Sequence, residues 1–540
     1  MTKNHKAFVA LLFLIPLAIA LWVWHSALSF VPVPWPDDSA FYFVAKEFFH
    51  WPPRWVMLPQ APFEPTYALF NFNTMPLYPI LIGLGRLIGI DGSHALKLWP
   101  LTAWALSGGI LCAWIYRAGL PFLAAALLAL TFSLDPAMRW ASVLIRPESF
   151  IGLCGIILIL GLTLGFPKRW EPKKFWDPVS ALLAIAAYTH FNAIHLVFPV
   201  ILALLFKPRR LLSAGMKTLL YLSPWILVIA WHWKLFIHQM TTQWGRLAVR
   251  NDWLDTPAKA ISGLFQSMGS PEPWPLVLHW AAIGLWLLIA AALLFGLILP
   301  VVNFFEKKQE KLSLVPSAAW VLGALWLWTS KPEVWFTYFI HAAIWCFVGL
   351  AALKAWKAWQ TGIASGKTSF VGLISLVALI TVIFGTVDLS QAARLGNSHS
   401  WHWSTYHDFV DCVDTRLTQY EKNLHARSFS VWCPTFPDIT IELSRRHPDW
   451  QLTRTNDFAS RADLAIQHGN HVDAVVVSET INWLERDIAA PAEAHPEIIS
   501  TWMTWRQYFL NRLWTEAGWK PNRYVCQKGR WQAFIFMNPE

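Results

Sequence analysis

Two adjacent carboxylates, Asp37 and Asp38, stand in the stretch Pro34-Trp35-Pro36-Asp37-Asp38-Ser39-Ala40-Phe41-Tyr42. Adjacent carboxylates repel, which raises the pKa of one and suits it to general-base work near neutral pH. The same pair can instead cap an amphipathic helix. A second group holds Asp135, Arg139, Arg146 and Glu148, the last two within Ile145-Arg146-Pro147-Glu148-Ser149-Phe150. A guanidinium there can grip a phosphate with its planar fork while Glu148 fixes the fork; as a plain ion pair it would cap a helix carrying Pro147 in its first turn. In the third group, Tyr188 to His195, both His190 and His195 offer imidazole to a phosphate or a metal, or complete a hydrogen-bond network. Lys331, Glu333, Tyr338 and His341 form a fourth group in which a cation again accompanies aromatic and polar side chains, and Glu64 adds a carboxylate to the segment after Asp38. Arg246 and Arg250 are weaker candidates of the same kind.

The elements that must position these groups are apolar. The 540 residues are 55% hydrophobic and 14% charged, with a mean hydropathy of +0.39, which excludes a soluble globular chain of ordinary surface chemistry. Runs of roughly 20 apolar residues, enough to cross a hydrocarbon core of about 30 Å, recur from Ala7 to about Val387. Ala7 to Phe30 follows Lys3 and Lys6 and has no small-residue cleavage site before Pro32, so it reads as a retained first transmembrane helix. The net charge of +10 comes from short Lys and Arg clusters between apolar runs, which points to membrane topology and not to nucleic-acid binding. The 36 Trp and 35 Phe fit aromatic belts at the two interfaces.

Short cytoplasmic loops collect Lys and Arg. Placing Lys3/Lys6, Arg117, Lys168 to Lys174, Lys207 to Arg210, Lys307 to Lys311 and Lys354/Lys357 inside gives about eleven crossings, with the N-terminus in and the C-terminus out. This requires Met75 to Ile90 to lie on the membrane instead of spanning it, within a first outer loop of residues 31–93. The expected fold is thus a polytopic α-helical membrane domain, residues 1–388, followed by a soluble periplasmic α/β domain, residues 389–540. In the latter, Ser428 to Trp432 and Asp473 to Val477 read as strands, Ile439 to Arg446 as a helix, and Tyr524 to Phe536 as a hairpin turning at Lys528-Gly529. Cys412, Cys433 and Cys526 allow one disulfide there, and the sequence does not choose the pair. No Gly-rich phosphate loop, metal-ligand spacing or internal repeat is evident.

The succession along the chain resembles the GT-C superfamily of membrane glycosyltransferases, in the branch of protein O-mannosyltransferases and lipid A aminoarabinose transferases. The matching features are the acidic pair in Asp37-Asp38-Ser39-Ala40-Phe41-Tyr42, the segment Thr74-Met75-Pro76-Leu77-Tyr78-Pro79, and Leu134-Asp135-Pro136 with Arg146-Pro147-Glu148. They span roughly residues 1–350. The resemblance implies inverting transfer of a sugar from a polyprenyl-phosphate donor to an acceptor hydroxyl of a lipid, glycan or protein, at the outer face of a bacterial inner membrane. It makes Asp37 the catalytic base, with Asp38 where the family usually has Glu. The Arg-Tyr or His that follows that pair in the family is replaced here by Ser39 to Tyr42. A histidine that binds metal in some relatives falls near His190; no cofactor is certain, and a divalent metal is left open. Arg146, Glu148, Arg139 and Lys331 are the expected donor-phosphate residues, and Asp135, His190, His195, Glu64 and Tyr338 further site candidates. The rival reading is a transporter or flippase of lipid or lipid-linked sugar, which would gather its charges at the midplane between repeats.

Overall fold

The computed structural model describes residues 3–26, 36–57, 69–245, 290–298, 313–330, 336–360, 403–424, 428–433, 438–453, 472–480, 523–529 and 531–538. Among these residues four helices are long and apolar enough to cross a membrane, within His5–His25, Ser93–Arg117, Pro208–Trp231 and Tyr338–Gln360, and shorter apolar helices pack beside them. The chain is a polytopic membrane protein. Loops near Arg246, Lys307 and Glu64, and the Lys331–Glu333 segment, lie outside the described residues.

Helix α1 (Lys3–His25) runs antiparallel to α5 (Leu98–Arg117), which also packs on α6 (Phe122–Leu134) and α8 (Glu148–Leu164). Further along the chain, α9 (Pro178–Thr189), α10 (Val197–Leu204), α11 (Pro208–Trp231) and α12 (Trp233–Gly245) precede α13 (Val315–Ser330) and α14 (Thr337–Gln360), and α14 returns onto α8. The basic ends meet. His5 stacks on Tyr116 with ring centroids 4.8 Å apart, the Gly119 backbone lies beside the Lys357 side chain, and Lys217 Nζ donates to the Lys173 carbonyl at 2.9 Å. At the opposite end Trp24 stacks on His94, and Asp135 meets His341.

Between α1 and α5 the chain forms α2 (Pro36–Phe48), α3 (Leu77–Leu87) and the single turn α4 (Ser93–Leu96). Eleven helical residues extend only about 16 Å, roughly half of a hydrocarbon core, so α3 cannot cross. It buries Tyr78, Ile82 and Gly83 while leaving Leu84, Leu87 and Ile88 exposed, the two-faced pattern of a helix lying along an interface. Gly83 permits this packing, because a methyl group there would collide with the Phe49 ring.

The C-terminal residues form a five-stranded sheet of order β2-β1-β3-β5-β4, from β1 (Ser430–Trp432), β2 (Gln451–Thr453), β3 (Ala474–Thr480), β4 (Arg523–Lys528) and β5 (Trp531–Met537). β1 is parallel to β2 and β3, and the β4–β5 hairpin adds antiparallel strands. Helix α15 (Trp403–Leu424) covers β4 and is joined to it by the disulfide Cys412–Cys526, while α16 (Thr440–Arg446) connects β1 to β2.

This sheet unit shares one apolar core with the first loop: Phe41 and Tyr42 of α2 and Tyr78 of α3 are buried together with Tyr406, Ile441 and Trp531. Each large side chain so buried stabilises the contact by roughly 1.5–3 kcal/mol. Polar contacts fix the register. Glu442 Oε1 of α16 accepts from the Ser93 N–H at 2.8 Å and from Ser93 Oγ at 2.7 Å, closing the N-terminus of α4, and Lys46 Nζ donates to Ser444 Oγ at 2.8 Å. Burial pushes the Glu442 pKa up, but the two Ser93 hydrogen bonds and Arg445 outweigh it and hold the carboxyl below its ordinary 4.5. A depressed carboxylate stabilises above its ordinary pKa and ceases to do so as pH falls through the folded value. Glu442→Ala is therefore expected to make the 403–538 unit more susceptible to limited proteolysis at neutral pH, and acidification of the wild type through the depressed Glu442 pKa, below 4.5, to do the same. Identical digestion of mutant and wild type would show that the apolar contact alone holds the unit.

Candidate active site

The first-loop elements converge on the start of α8. Asp38 lies on α2 and is fully buried, as are Tyr78 on α3 and Lys97 at the junction of α4 and α5; Arg146 is 5% and Glu148 1% exposed. Burying an ionised side chain without compensation costs several kcal/mol, so charges enclosed this deeply are expected to answer one another. The charges that act on Tyr78 are those of Asp38, Glu148 and Arg146, and the charge that acts on Lys97 is that of Asp38. Desolvation first, then the two carboxylates, push the Tyr78 pKa well above its ordinary 10.0 against the opposing effect of Arg146, so the phenol stays protonated and can donate. Among the described residues the Tyr78 hydroxyl has no hydrogen-bond partner.

Arg146 donates to Glu148 Oε1 from Nε at 3.2 Å and from Nη2 at 3.1 Å. Both bonds use one carboxylate oxygen, and among the described residues Glu148 Oε2 is buried without a partner. Pro147 is the N-cap of α8 and Glu148 its first residue, where a negative charge is favoured by the helix dipole. Glu148 thus holds the guanidinium at the mouth of α8, where no side chain caps the helix by a hydrogen bond.

Asp135 has a different task. Its Oδ1 accepts from the N–H groups of Ala137 and Met138 at 3.0 and 3.1 Å, capping the short α7 (Pro136–Ser142), and its Oδ2 accepts from His341 Nδ1 at 2.7 Å and Trp345 Nε1 at 2.8 Å. Its acceptors are spent on positioning: Asp135 ties α7, and with it the approach to Arg146, to α14. Arg139 is buried on α7 one turn later. Tyr338 packs its ring on Gly152 of α8, where any side chain would collide with it.

The histidines bond within their own segment. His190 Nδ1 accepts from the Asn192 N–H at 3.1 Å, and His195 Nδ1 lies 2.5 Å from the Asn192 carbonyl with its ring between Phe339 and Trp320. Among the described residues no three His, Cys, Asp or Glu side chains gather as a metal would require. Glu64 and Lys331 lie outside the described residues, as does the side chain of Asp37, whose backbone is in the first turn of α2 next to Asp38.

Two buried polar residues here escape sequence reasoning. Lys97 sits inside the apolar run Ser93–Arg117, and a lysine within such a run is costly unless paired, which is the signal that could have found it. The burial of the Tyr78 phenol has no sequence signature beyond its place in Pro76-Leu77-Tyr78.

No protein-family model and no curated protein matches the sequence. Solved structures do. A crystal structure of ArnT from Cupriavidus metallidurans bound to undecaprenyl phosphate is similar with a TM-score of 0.56 and 13% identity over 97% of each chain. The apo state of the same protein gives 0.55 and 13% over 99% of this chain and 98% of that one. An Archaeoglobus fulgidus oligosaccharyltransferase complex with Zn and sulfate gives 0.48 and 13% over 87% and 68%. The fold is that of the ArnT structures, shared over almost the whole length of this chain.

Proposed function

We propose that this protein transfers a sugar from a polyprenyl-phosphate donor to an acceptor hydroxyl, with inversion, at the outer face of the cytoplasmic membrane. The observation that carries this reading is the burial together of Asp38, Tyr78, Arg146 and Glu148 at the end of the bundle opposite His5, Tyr116 and Lys357. A polyprenyl monophosphate sugar presents its phosphate at membrane depth and its sugar just above, so a cation is needed below and a carboxylate above. Arg146, with Lys331 as a second candidate, would take the phosphate; Asp37 would accept the proton of the acceptor hydroxyl. In a single displacement the acceptor oxygen bonds to the anomeric carbon as the carbon–phosphate oxygen bond breaks, and the departing electron pair rests on a phosphate held by the guanidinium. Positive side chains suffice for a monophosphate leaving group.

The ArnT structure with bound undecaprenyl phosphate supports a donor of this class. The shared basic end supports an inside N-terminus, and the Cys412–Cys526 disulfide, a bond favoured in oxidising compartments, supports a periplasmic C-terminal unit. The test is a transfer assay in vesicles with polyprenyl-phosphate sugars labelled in the sugar. The label is expected to leave the lipid for an acceptor as polyprenyl monophosphate appears; label that crosses the bilayer still attached to lipid would make the protein a carrier.

A further inference from the structure

The chain between α8 and α9 folds back onto α11. Lys173 and Trp176 close a tight turn there, their N–H groups donating to one another's carbonyls at 2.7 and 3.3 Å. From α11, Lys217 Nζ donates to the Lys173 carbonyl at 2.9 Å and the Tyr221 hydroxyl to the Phe175 carbonyl at 2.8 Å, while the same hydroxyl oxygen accepts from the Asp177 N–H at 3.2 Å. The turn is thus pinned to the helix, with Lys174 and Phe175 at its tip. Arg210 stands on the same face of α11 as Lys217 and Tyr221, about 10 Å before Lys217 along the axis, and Arg209 lies beside it.

Lys173, Lys174, Arg209 and Arg210 are exposed, and among the described residues none of them takes part in an ion pair. Asp177 does not answer them, because it is buried and accepts from the Ser180 N–H at 3.3 Å as the cap of α9; the exposed Glu171 is a single charge against theirs. Apolar side chains lie open beside the cations. Phe175 is 73% exposed, with Lys174 Nζ 5.1 Å from its ring centroid, and Leu212, Met216 and Leu219 form an exposed row along α11. Because α11 is long and apolar enough to cross a membrane, its first turns lie at an interface, where phospholipid phosphates and acyl chains meet. A soluble anion would engage the cations and leave the apolar row in water; an anionic lipid satisfies both.

We propose that this face holds an anionic phospholipid, its phosphate met by Lys174, Arg209 and Arg210 and its acyl chains laid along Leu212, Met216 and Leu219 beside Phe175. The surface uses none of the residues of the proposed transfer, and the same chemistry operates in either leaflet.

The experiment starts from delipidated protein in neutral micelles and titrates phosphatidylglycerol or phosphatidylcholine, with bound lipid counted by native mass spectrometry and Tm followed in parallel. Wild type is expected to retain phosphatidylglycerol in preference, each cation near the anionic headgroup contributing about fivefold in affinity. Lys174→Gln/Arg209→Gln/Arg210→Gln should therefore bind phosphatidylglycerol about 10²-fold more weakly, with phosphatidylcholine binding little changed. Arg209→Lys/Arg210→Lys keeps the charge and should keep the preference. At about 1 M salt the screening length falls to about 3 Å, so wild type should lose its preference too, a result that needs no substitution and stands even where a variant fails to fold. Glycerol phosphate, the headgroup without its chains, should neither raise Tm nor displace the lipid. An unchanged preference in the triple variant or at high salt, equal binding of the two lipids by wild type, or full competition by glycerol phosphate would each overturn the proposal. None of these readings needs sugar transfer, so the proposal stands or falls apart from the proposed function.

Discussion

Asp37→Asn is expected to lower sugar transfer by about 10²- to 10⁴-fold, the usual worth of a positioned general base, without disturbing insertion or folding. The amide matches the carboxylate in shape and keeps hydrogen-bonding capacity, but it cannot take the proton of the acceptor hydroxyl. The change lies in the first turn of α2, whose remaining residues are anchored by the apolar core shared with the C-terminal unit, so its structural cost should be small. Single-turnover transfer with labelled donor, alongside size-exclusion behaviour and Tm, separates the two effects. Equal turnover by mutant and wild type would remove Asp37 from the mechanism.

The second large effect is expected at Arg146. Hydrogen bonds to charged groups contribute about 1.5–3 kcal/mol, so Arg146→Ala should weaken donor binding by roughly tenfold to a hundredfold. There is a complication, since Glu148 is almost completely buried and Arg146 supplies both hydrogen bonds to its Oε1. Leaving that carboxylate uncompensated costs about 3–5 kcal/mol of stability. The double variant Arg146→Ala/Glu148→Gln removes both charges and should recover most of the stability while remaining poor at binding donor. Lys in place of Arg146 keeps the charge but loses the fork, and its donor affinity should fall in between. Full donor affinity in the double variant would make the pair a helix cap and nothing more.

What the sequence discloses and what it conceals follow from the range of the interactions. Hydropathy and the basic clusters are local signals, and α3, read as lying on the membrane because Arg117 must be inside, is indeed too short to span. The strands at Ser430, Ala474 and Trp531, and the hairpin turning at Lys528-Gly529, also follow from local pattern; the first two strands start within two residues of their expected places, and Ala474–Thr480 runs three residues beyond its expected end at Val477. Asp135 was harder. Its capping of α7 is written in Asp135-Pro136, but its partner His341 is 206 residues away, so sequence could group Asp135 with Arg146 without learning that its oxygens are already committed.

Long-range pairings were out of reach for the same reason. Three cysteines were equivalent on paper until the packing of α15 on β4 brought Cys412 and Cys526 together and left Cys433 buried elsewhere. The bond from Glu442 to Ser93 spans 349 residues and shows that the C-terminal unit packs on the first loop, a role that composition could not assign. Lys97 was hidden by its neighbours, because a single cation in an otherwise apolar helix scarcely lowers its hydropathy; only its complete burial reveals it.

The central claim is that the carboxylates of α2 and the guanidinium before α8 serve one ligand. An experimental structure of the protein with polyprenyl monophosphate bound tests it most directly. The account predicts the phosphate within hydrogen-bond distance of Arg146, with the space for a sugar opening toward Asp37 and Asp38. A phosphate bound elsewhere, with Arg146 still bonded to Glu148, would contradict it.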